Sequence, residues 1–153
     1  MDRPFVRENS KERARLRNLI TSITDQQLLL QLPNGWPIYA ALAHLAFWDQ
    51  RSTVLMKKWS KEGISPSPID VHVVNDTLLP FFLAIPPRQA ADLALSSAEV
   101  IDSELEQAPD DLIAGITALG ERFRLFRSDH RKLHLDKIES VLRASRKPPN
   151  QAV

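Results

Sequence analysis

The stretch GWPIYAALAHLAFWDQRS, residues 35–52, decides the fold because it predicts a long helix with one apolar side. Pro37 suits the first turn of a helix, where its missing N–H is not needed. At about 100° per residue, one face combines His44 with small and aromatic apolar residues. They are Ala40, Ala41, Phe47, Trp48 and Leu55. We therefore expect a helix from Pro37 to about Lys61 that buries His44 against a neighbouring helix.

Eleven prolines divide the rest of the chain into segments of helix length that are rich in strong helix formers. These segments predict helices over about 8–30 (with a separate short piece at 28–30), from about 69 to Pro80, over 88–107 and over about 120–145. Residues 109–120 are expected to form a loop or a short helical turn. The proline-rich stretch LLPFFLAIPP, from Leu78 to Pro87, predicts an irregular apolar crossover. This pattern is typical of an all-α four-helix bundle, here one domain over 1–145 with a polar tail over 146–153.

Composition excludes several classes of function. Lys and Arg number 20 and Asp and Glu 19, so the net charge of +1 does not indicate a nucleic-acid or membrane partner. The chain has no cysteine, which excludes disulfides, a cysteine nucleophile and thiolate metal sites. The charged N-terminal stretch MDRPFVRENSKERAR does not resemble a signal peptide, and no apolar run is long enough to span a bilayer. We expect a cytoplasmic protein.

Three of the four histidines indicate a metal site. His130 and His134 are four residues apart, so a helix would place them on one face, in a stripe with Phe123 and Val141 that is predicted to face the bundle interior. If that helix neighbours the one carrying His44, three imidazole nitrogens converge. Three protein ligands with open positions are typical of a catalytic metal, and imidazole suits Zn, Ni, Fe or Cu. The alternative is that these residues are hydrogen-bonded core histidines without a metal.

Other polar residues have a structural and a functional interpretation. His72 is expected at the surface or at a helix cap, although a pocket role or a role as an alternative ligand is the other interpretation. Asp49, Asp76 and Asp129 are candidates to orient a ligand imidazole, but surface charges are the simpler prediction. Arg51 shares the face of His44, where it either meets an anionic substrate group or pairs with a carboxylate. The basic residues of the last helix are predicted to form its solvated face; they are Arg122, Arg124, Arg127, Arg131 and Lys132.

The histidine-bearing segments resemble a known superfamily. GWPIYAALAHLAFWDQRS is similar to the G-W-x(5–7)-H-(L/I)-x-x-W-(D/E) signature of the DinB/YfiT-like superfamily. FRSDHRKLHLDKIE resembles its closing H-x-x-x-H-x-x-x-I helix, and IDVHVVND resembles the D-x-x-N segment that opens its third helix. The resemblance implies a DinB-type four-helix bundle with a long crossover, usually a homodimer. It also implies that His44, His130 and His134 occupy the positions of the superfamily's three-histidine metal site.

The resemblance implies a function as well. Relatives include thiol-dependent transferases and isomerases, and hydrolases, so our first hypothesis is a transferase or hydrolase of small molecules, related to stress or detoxification. Its cofactor would be a divalent Zn, Ni or Fe ion, and an external low-molecular-weight thiol or water would be activated there. A second hypothesis is a dimeric bundle that binds a metal or ligand without catalysis. A third is a structural dimer whose histidines only fill the core.

Overall fold

The structure is a computed structural model that describes residues 1–146. Six α-helices make up most of this part of the chain: α1 (Pro4–Ser22), α2 (Ile38–Glu62), α3 (Val71–Ala84), α4 (Pro87–Gln107), α5 (Asp110–Ala118) and α6 (Arg127–Ser145). Two short 3₁₀ turns cover Gln27–Leu29 and Arg122–Arg124. No β-strand occurs within residues 1–146, so the predicted all-α class is confirmed. None of these helices has the length and hydropathy needed to cross a membrane.

Helix α2 begins and ends where its sequence predicts. Pro37 is its N-cap residue, and 25 helical residues follow. Gly63 ends the helix with a φ of +87°, a conformation that glycine adopts without strain, and its N–H donates to the carbonyl of Trp59. Residues on nearly every side of the first half of α2 are buried, which makes it the central helix of the structure.

The main core is formed by side chains from α1, α2, α4 and α6, together with the segment between α1 and α2. Small residues lie where α2 and α4 meet: Ala41 is 2% exposed, and Ala91, Ala94 and Ala98 are fully buried. Side chains of this size let two helix backbones approach closely, and larger apolar residues fill the remaining space. A second apolar cluster, around Phe5 and Trp59 and including two isoleucines of α5, closes the other end.

The predicted irregular crossover from Leu78 to Pro87 is wrong over its first seven residues. Helix α3 continues through Pro80 to Ala84, and only Ile85 and Pro86 separate it from α4. Pro80 removes one helical N–H, but it and Asp76, whose carbonyl loses that donor, are both exposed, so water can hydrogen bond there instead. Phe82 is 4% exposed and anchors this end of α3 on alanines of α2 and α4.

Three other predicted boundaries differ from the structure. The first helix begins at Pro4 rather than residue 8 and ends at Ser22, and the separate short piece is the 3₁₀ turn at 27–29. Residues 110–118 form a full helix of nine residues. The last helix begins at Arg127 instead of residue 120, so Phe123 precedes it and is 43% exposed. The predicted polar tail lies outside the described residues, except for Arg146.

Candidate metal centre

Three histidine rings from two helices meet at one point. His44 lies on α2, and His130 and His134 lie one turn apart on α6. One ring nitrogen from each residue lies within 4.8 Å of the other two. The Nε2 atoms of His44 and His130 are 2.9 Å apart. His44 is buried and the other two rings are half-buried, so the predicted convergence is present at the edge of the core, next to a cavity.

All three rings are held in the neutral form. Burial, followed by the nearby His134, lowers the pKa of His44 to about 3, with Asn75 acting in the opposite direction. Burial and the two other histidines lower the pKa of His130 to about 2. Burial and Lys137 lower the pKa of His134 to about 4. At neutral pH each ring therefore carries a free nitrogen lone pair, which is the form that binds a metal.

The spacing of the His44 and His130 nitrogens fits two ligands of one divalent ion, and the His134 nitrogen lies within 4.8 Å of both. Two ligand nitrogens at the usual Zn–N distance of about 2.0–2.1 Å lie about 3–3.4 Å apart, close to the 2.9 Å between His44 and His130. The Nδ1 atom of His44 is the one buried side-chain polar atom without a hydrogen-bond partner within residues 1–146. This nitrogen is not the one that faces His130, so it would carry the ring proton when Nε2 is the metal-facing nitrogen. The donor set of the cluster is the three-imidazole set that suits Zn, Ni or Fe.

A cavity of about 920 Å³ opens beside the three rings. Its walls are mostly apolar, with Trp36, Trp48 and Leu133 among them, and α3 contributes Asn75 and His72. The Trp48 indole N–H donates to the Asn75 side-chain oxygen at 3.0 Å, which fixes one wall of the cavity. His72 is exposed at the cavity edge, in keeping with its predicted surface position. A small apolar ligand can therefore reach the histidine cluster.

A buried ion-pair network holds the two histidine-bearing helices together. Asp49 of α2 is 2% exposed and accepts hydrogen bonds from Arg127 Nε at 2.8 Å and from Arg131 Nη2 at 3.1 Å. Arg131 also donates to Asp102 of α4 at 2.8 Å. Arg127 and Arg131 are on either side of His130 in the sequence, so the Asp49 contacts fix the position of α6 against α2. These ion pairs therefore help set the distance between the histidine rings.

The burial of these charged residues contradicts two predictions made from the sequence. Arg124, Arg127 and Arg131 are at most 6% exposed, so the expectation of a solvated basic face is wrong for them, although Arg122 and Lys132 are exposed. Asp49 is buried rather than a surface charge, because two arginines of α6 neutralise it. Asp76 and Asp129 are exposed, as predicted.

Sequence reasoning also missed the buried polar residues Asn9 and Asp102. Asn9 of α1 is 1% exposed, donates to the Leu125 carbonyl and accepts from the Ser128 N–H, each at 2.9 Å. These bonds anchor the start of α6 on α1. The available signal was helical spacing: Asn9 is four residues after buried Phe5, and Asp102 is four residues after buried Ala98. A polar residue on an apolar stripe indicates a buried partner.

Comparison with known proteins identifies the family. The sequence profile of the DinB superfamily matches residues 8–147, which is most of the chain. No curated protein and no solved structure gives a significant match. The matched range contains all three histidines of the cluster. The chain therefore belongs to the DinB superfamily, which is a metal-binding superfamily.

Proposed function

We propose that this protein is a divalent-metal-dependent enzyme acting on small molecules, either a transferase that uses an external thiol or a hydrolase. The observation that carries the proposal is the cluster of three neutral imidazoles, with nitrogens within 4.8 Å of one another, beside an apolar cavity of about 920 Å³. Three protein ligands leave coordination positions free for a reactant, as in catalytic metal sites. The cavity provides the space for that reactant.

The residues have separate tasks in this proposal. His44, His130 and His134 would hold a Zn, Ni or Fe ion, whose chemistry would be to lower the pKa of a thiol or of water near neutral pH. Trp36 and Trp48 bind the apolar part of the ligand and exclude water from it. The chain has no cysteine, so a thiol reactant comes from outside the protein.

One observation favours the alternative of a metal-binding or ligand-binding bundle without catalysis. Among the described residues that line the cavity, Glu121 is the single carboxylate, and it is paired with Arg124 at 2.7 Å. No free carboxylate is therefore placed to carry a proton during a reaction. Proton transfer would depend on the ion-bound reactant or on His72 and Lys137, which also line the cavity.

The experiment measures metal content and turnover on protein purified without a histidine tag. A panel of low-molecular-weight thiols with electrophiles, and of hydrolysable esters and amides, is tested with wild type, His44→Ala and Arg17→Gln. We expect bound metal and a turnover that is lost in His44→Ala but kept in Arg17→Gln, since Arg17 is an exposed residue that does not line the cavity. Full metal occupancy without turnover supports the non-catalytic alternative, and the absence of metal overturns both the enzyme and the metal-binding bundle.

Three further predictions from the sequence belong to the same proposal: the type of helical bundle, the location and the oligomeric state. We propose that α1, α2, α4 and α6 form a four-helix bundle of DinB type, that the location is cytoplasmic and that the protein is a homodimer. The shared core of these four helices supports the first of these features. Light scattering tests the last: a solution mass twice that of the chain supports a dimer, and the mass of a single chain refutes it.

A further inference from the structure

Arg51 is a cation of the cavity that has no carboxylate partner. Its Nη2 donates to the Ser67 hydroxyl at 2.7 Å, and no carboxylate within residues 1–146 lies at ion-pair distance from it. The other two cavity arginines differ in this respect. Arg124 is paired with Glu121 and Arg127 with Asp49, each at 2.7–2.8 Å. Arg51 therefore brings a charge into the cavity that the protein leaves uncompensated.

The surroundings of Arg51 make an uncompensated charge unfavourable. Burial, then the charge of Arg124 and more weakly that of Arg127, lower the pKa of Arg51, while Glu121 acts in the opposite direction. A half-buried guanidinium next to other cations gains from an anion that accepts its hydrogen bonds. The planar guanidinium fork matches a carboxylate. Of the other cations that line the cavity, Arg124 and Arg127 already have carboxylate partners, and Lys137 is exposed on α6, where it acts on His134.

The position of Arg51 places its backbone two helical turns from His44 on α2. Arg51 follows His44 by seven residues, so it lies on the same face of α2 two turns further on, about 10 Å away along the helix axis. Trp48 lies between them, and the guanidinium carbon of Arg51 is 6.0 Å from the centre of its ring. The cavity therefore has Arg51 at one end, an aromatic wall in the middle, and the three imidazoles with the exposed Lys137 at the other end.

We infer that Arg51, together with the Ser67 hydroxyl, binds the carboxylate of a substrate whose reactive group lies at the histidine cluster. The inference rests on the proposed function for the chemistry at that cluster and adds the substrate class. The substrate is an apolar or aromatic carboxylic acid that reaches from Arg51 past Trp48 to the histidine cluster; the Trp48 ring centre is 6.0 Å from the Arg51 guanidinium carbon and 6.4 Å from the His44 ring centre. Trp48 packs against the part of the molecule between its carboxylate and its reactive group.

Binding measurements on metal-free protein test the role of Arg51 separately from the metal site. Calorimetric titration compares octanoate with its neutral isostere octanamide for wild type, Arg51→Gln, Arg51→Lys and Arg17→Gln. Arg17 is an exposed surface arginine paired with Glu99, which makes it the matched control. We expect octanoate to bind roughly ten-fold more tightly than octanamide to wild type and Arg17→Gln, as a charge-assisted hydrogen bond provides. This preference disappears in Arg51→Gln and is partly kept in Arg51→Lys.

Zinc-loaded protein tests both ends of the cavity together. The probes are suberic acid monohydroxamate and its primary amide, each with a zinc-binding hydroxamate at one end. We expect both to bind, with a preference for the carboxylate that is again lost in Arg51→Gln. Binding of both hydroxamates without a carboxylate preference leaves the metal site intact and overturns the Arg51 inference. An octanoate preference with no zinc-dependent hydroxamate binding overturns the metal site and keeps the Arg51 subsite. Equal or absent binding of octanoate and octanamide overturns the inference in either case.

Discussion

Replacement of Asp49 by alanine removes the carboxylate that joins α2 to α6. Asp49 is 2% exposed and accepts hydrogen bonds from Arg127 and Arg131, which are themselves 4% and 0% exposed. Burial lowers the pKa of Arg131, but the charges of Asp49 and Asp102 together outweigh it and raise this pKa above its usual value. Without Asp49, Arg127 keeps only the Phe123 carbonyl, at 3.0 Å, as a hydrogen-bond acceptor. A buried cation then lacks its counter-charge.

The expected loss of stability follows from this burial. Removing one partner of a buried ion pair costs about 3–5 kcal/mol in the free energy of unfolding, because the remaining charge stays desolvated. Arg131 keeps Asp102, so we expect the lower part of this range for Asp49→Ala. Asp49→Asn retains an acceptor oxygen and should lose less. The control is Glu99→Ala, because Glu99 pairs with Arg17 between two helices but is exposed, and such pairs contribute at most about 1 kcal/mol.

Urea unfolding of metal-free protein, followed by circular dichroism, measures these free energies. A loss of about 3 kcal/mol in Asp49→Ala against less than about 1 kcal/mol in Glu99→Ala supports the role of the network. Equal small losses in the two variants would contradict it, since Asp49 would then contribute no more than a surface charge. We also expect weaker zinc binding in Asp49→Ala, because the position of α6 sets the distance of His130 from His44.

Three further predictions concern the histidine cluster and α3. Zinc at a free concentration of 100 times its Kd should stabilise wild type by about 2.7 kcal/mol and leave His44→Ala unchanged, as measured by the shift in the urea midpoint; an equal shift in both would place zinc elsewhere. Without metal, the unfolded histidines take up protons near pH 6.5 while the folded ones, with pKa values lowered to about 3, 2 and 4, do not. The free energy of unfolding should therefore be constant above about pH 6.5 and fall below this pH, by up to about 1.4 kcal/mol per pH unit for each ring. Urea unfolding curves that coincide at pH 7 and pH 5 would contradict this. Pro80→Ala should raise stability by about 1–3 kcal/mol, because alanine restores a helical N–H inside α3 and has a much higher helix propensity; a loss of stability would show that Pro80 is required there.

Periodicity within one helix predicted the features that depend on local sequence. Helix α2 and the burial of His44 follow from the apolar face of a single segment, and the placement of His130 beside His134 follows from a spacing of four. These features bring the three imidazoles together as soon as α2 and α6 are neighbours. The residues of the cluster could therefore be named before the structure was known.

Features that depend on other helices could not be predicted in this way. Arg127 and Arg131 occur in a run of charges that is typical of a solvated face, and they are buried because Asp49 and Asp102 on other helices neutralise them. The proline rule failed at Pro80 for a related reason. The free-energy cost of Pro80 in a helix is reduced because the affected turn is exposed, and the packing of Phe82 opposes what remains of it. Neither feature is visible in the local sequence. Pairing and packing partners far apart in the chain decide both cases.

The central claim is that His44, His130 and His134 bind one divalent ion. An anomalous difference map from crystals of the zinc-loaded protein, recorded on both sides of the zinc absorption edge, tests it most directly. The claim predicts one peak per chain, within bonding distance of a nitrogen from each of the three rings, that is absent in crystals of His44→Ala. A map without a peak between α2 and α6, or rings that point away from one another in the zinc-loaded protein, would contradict it.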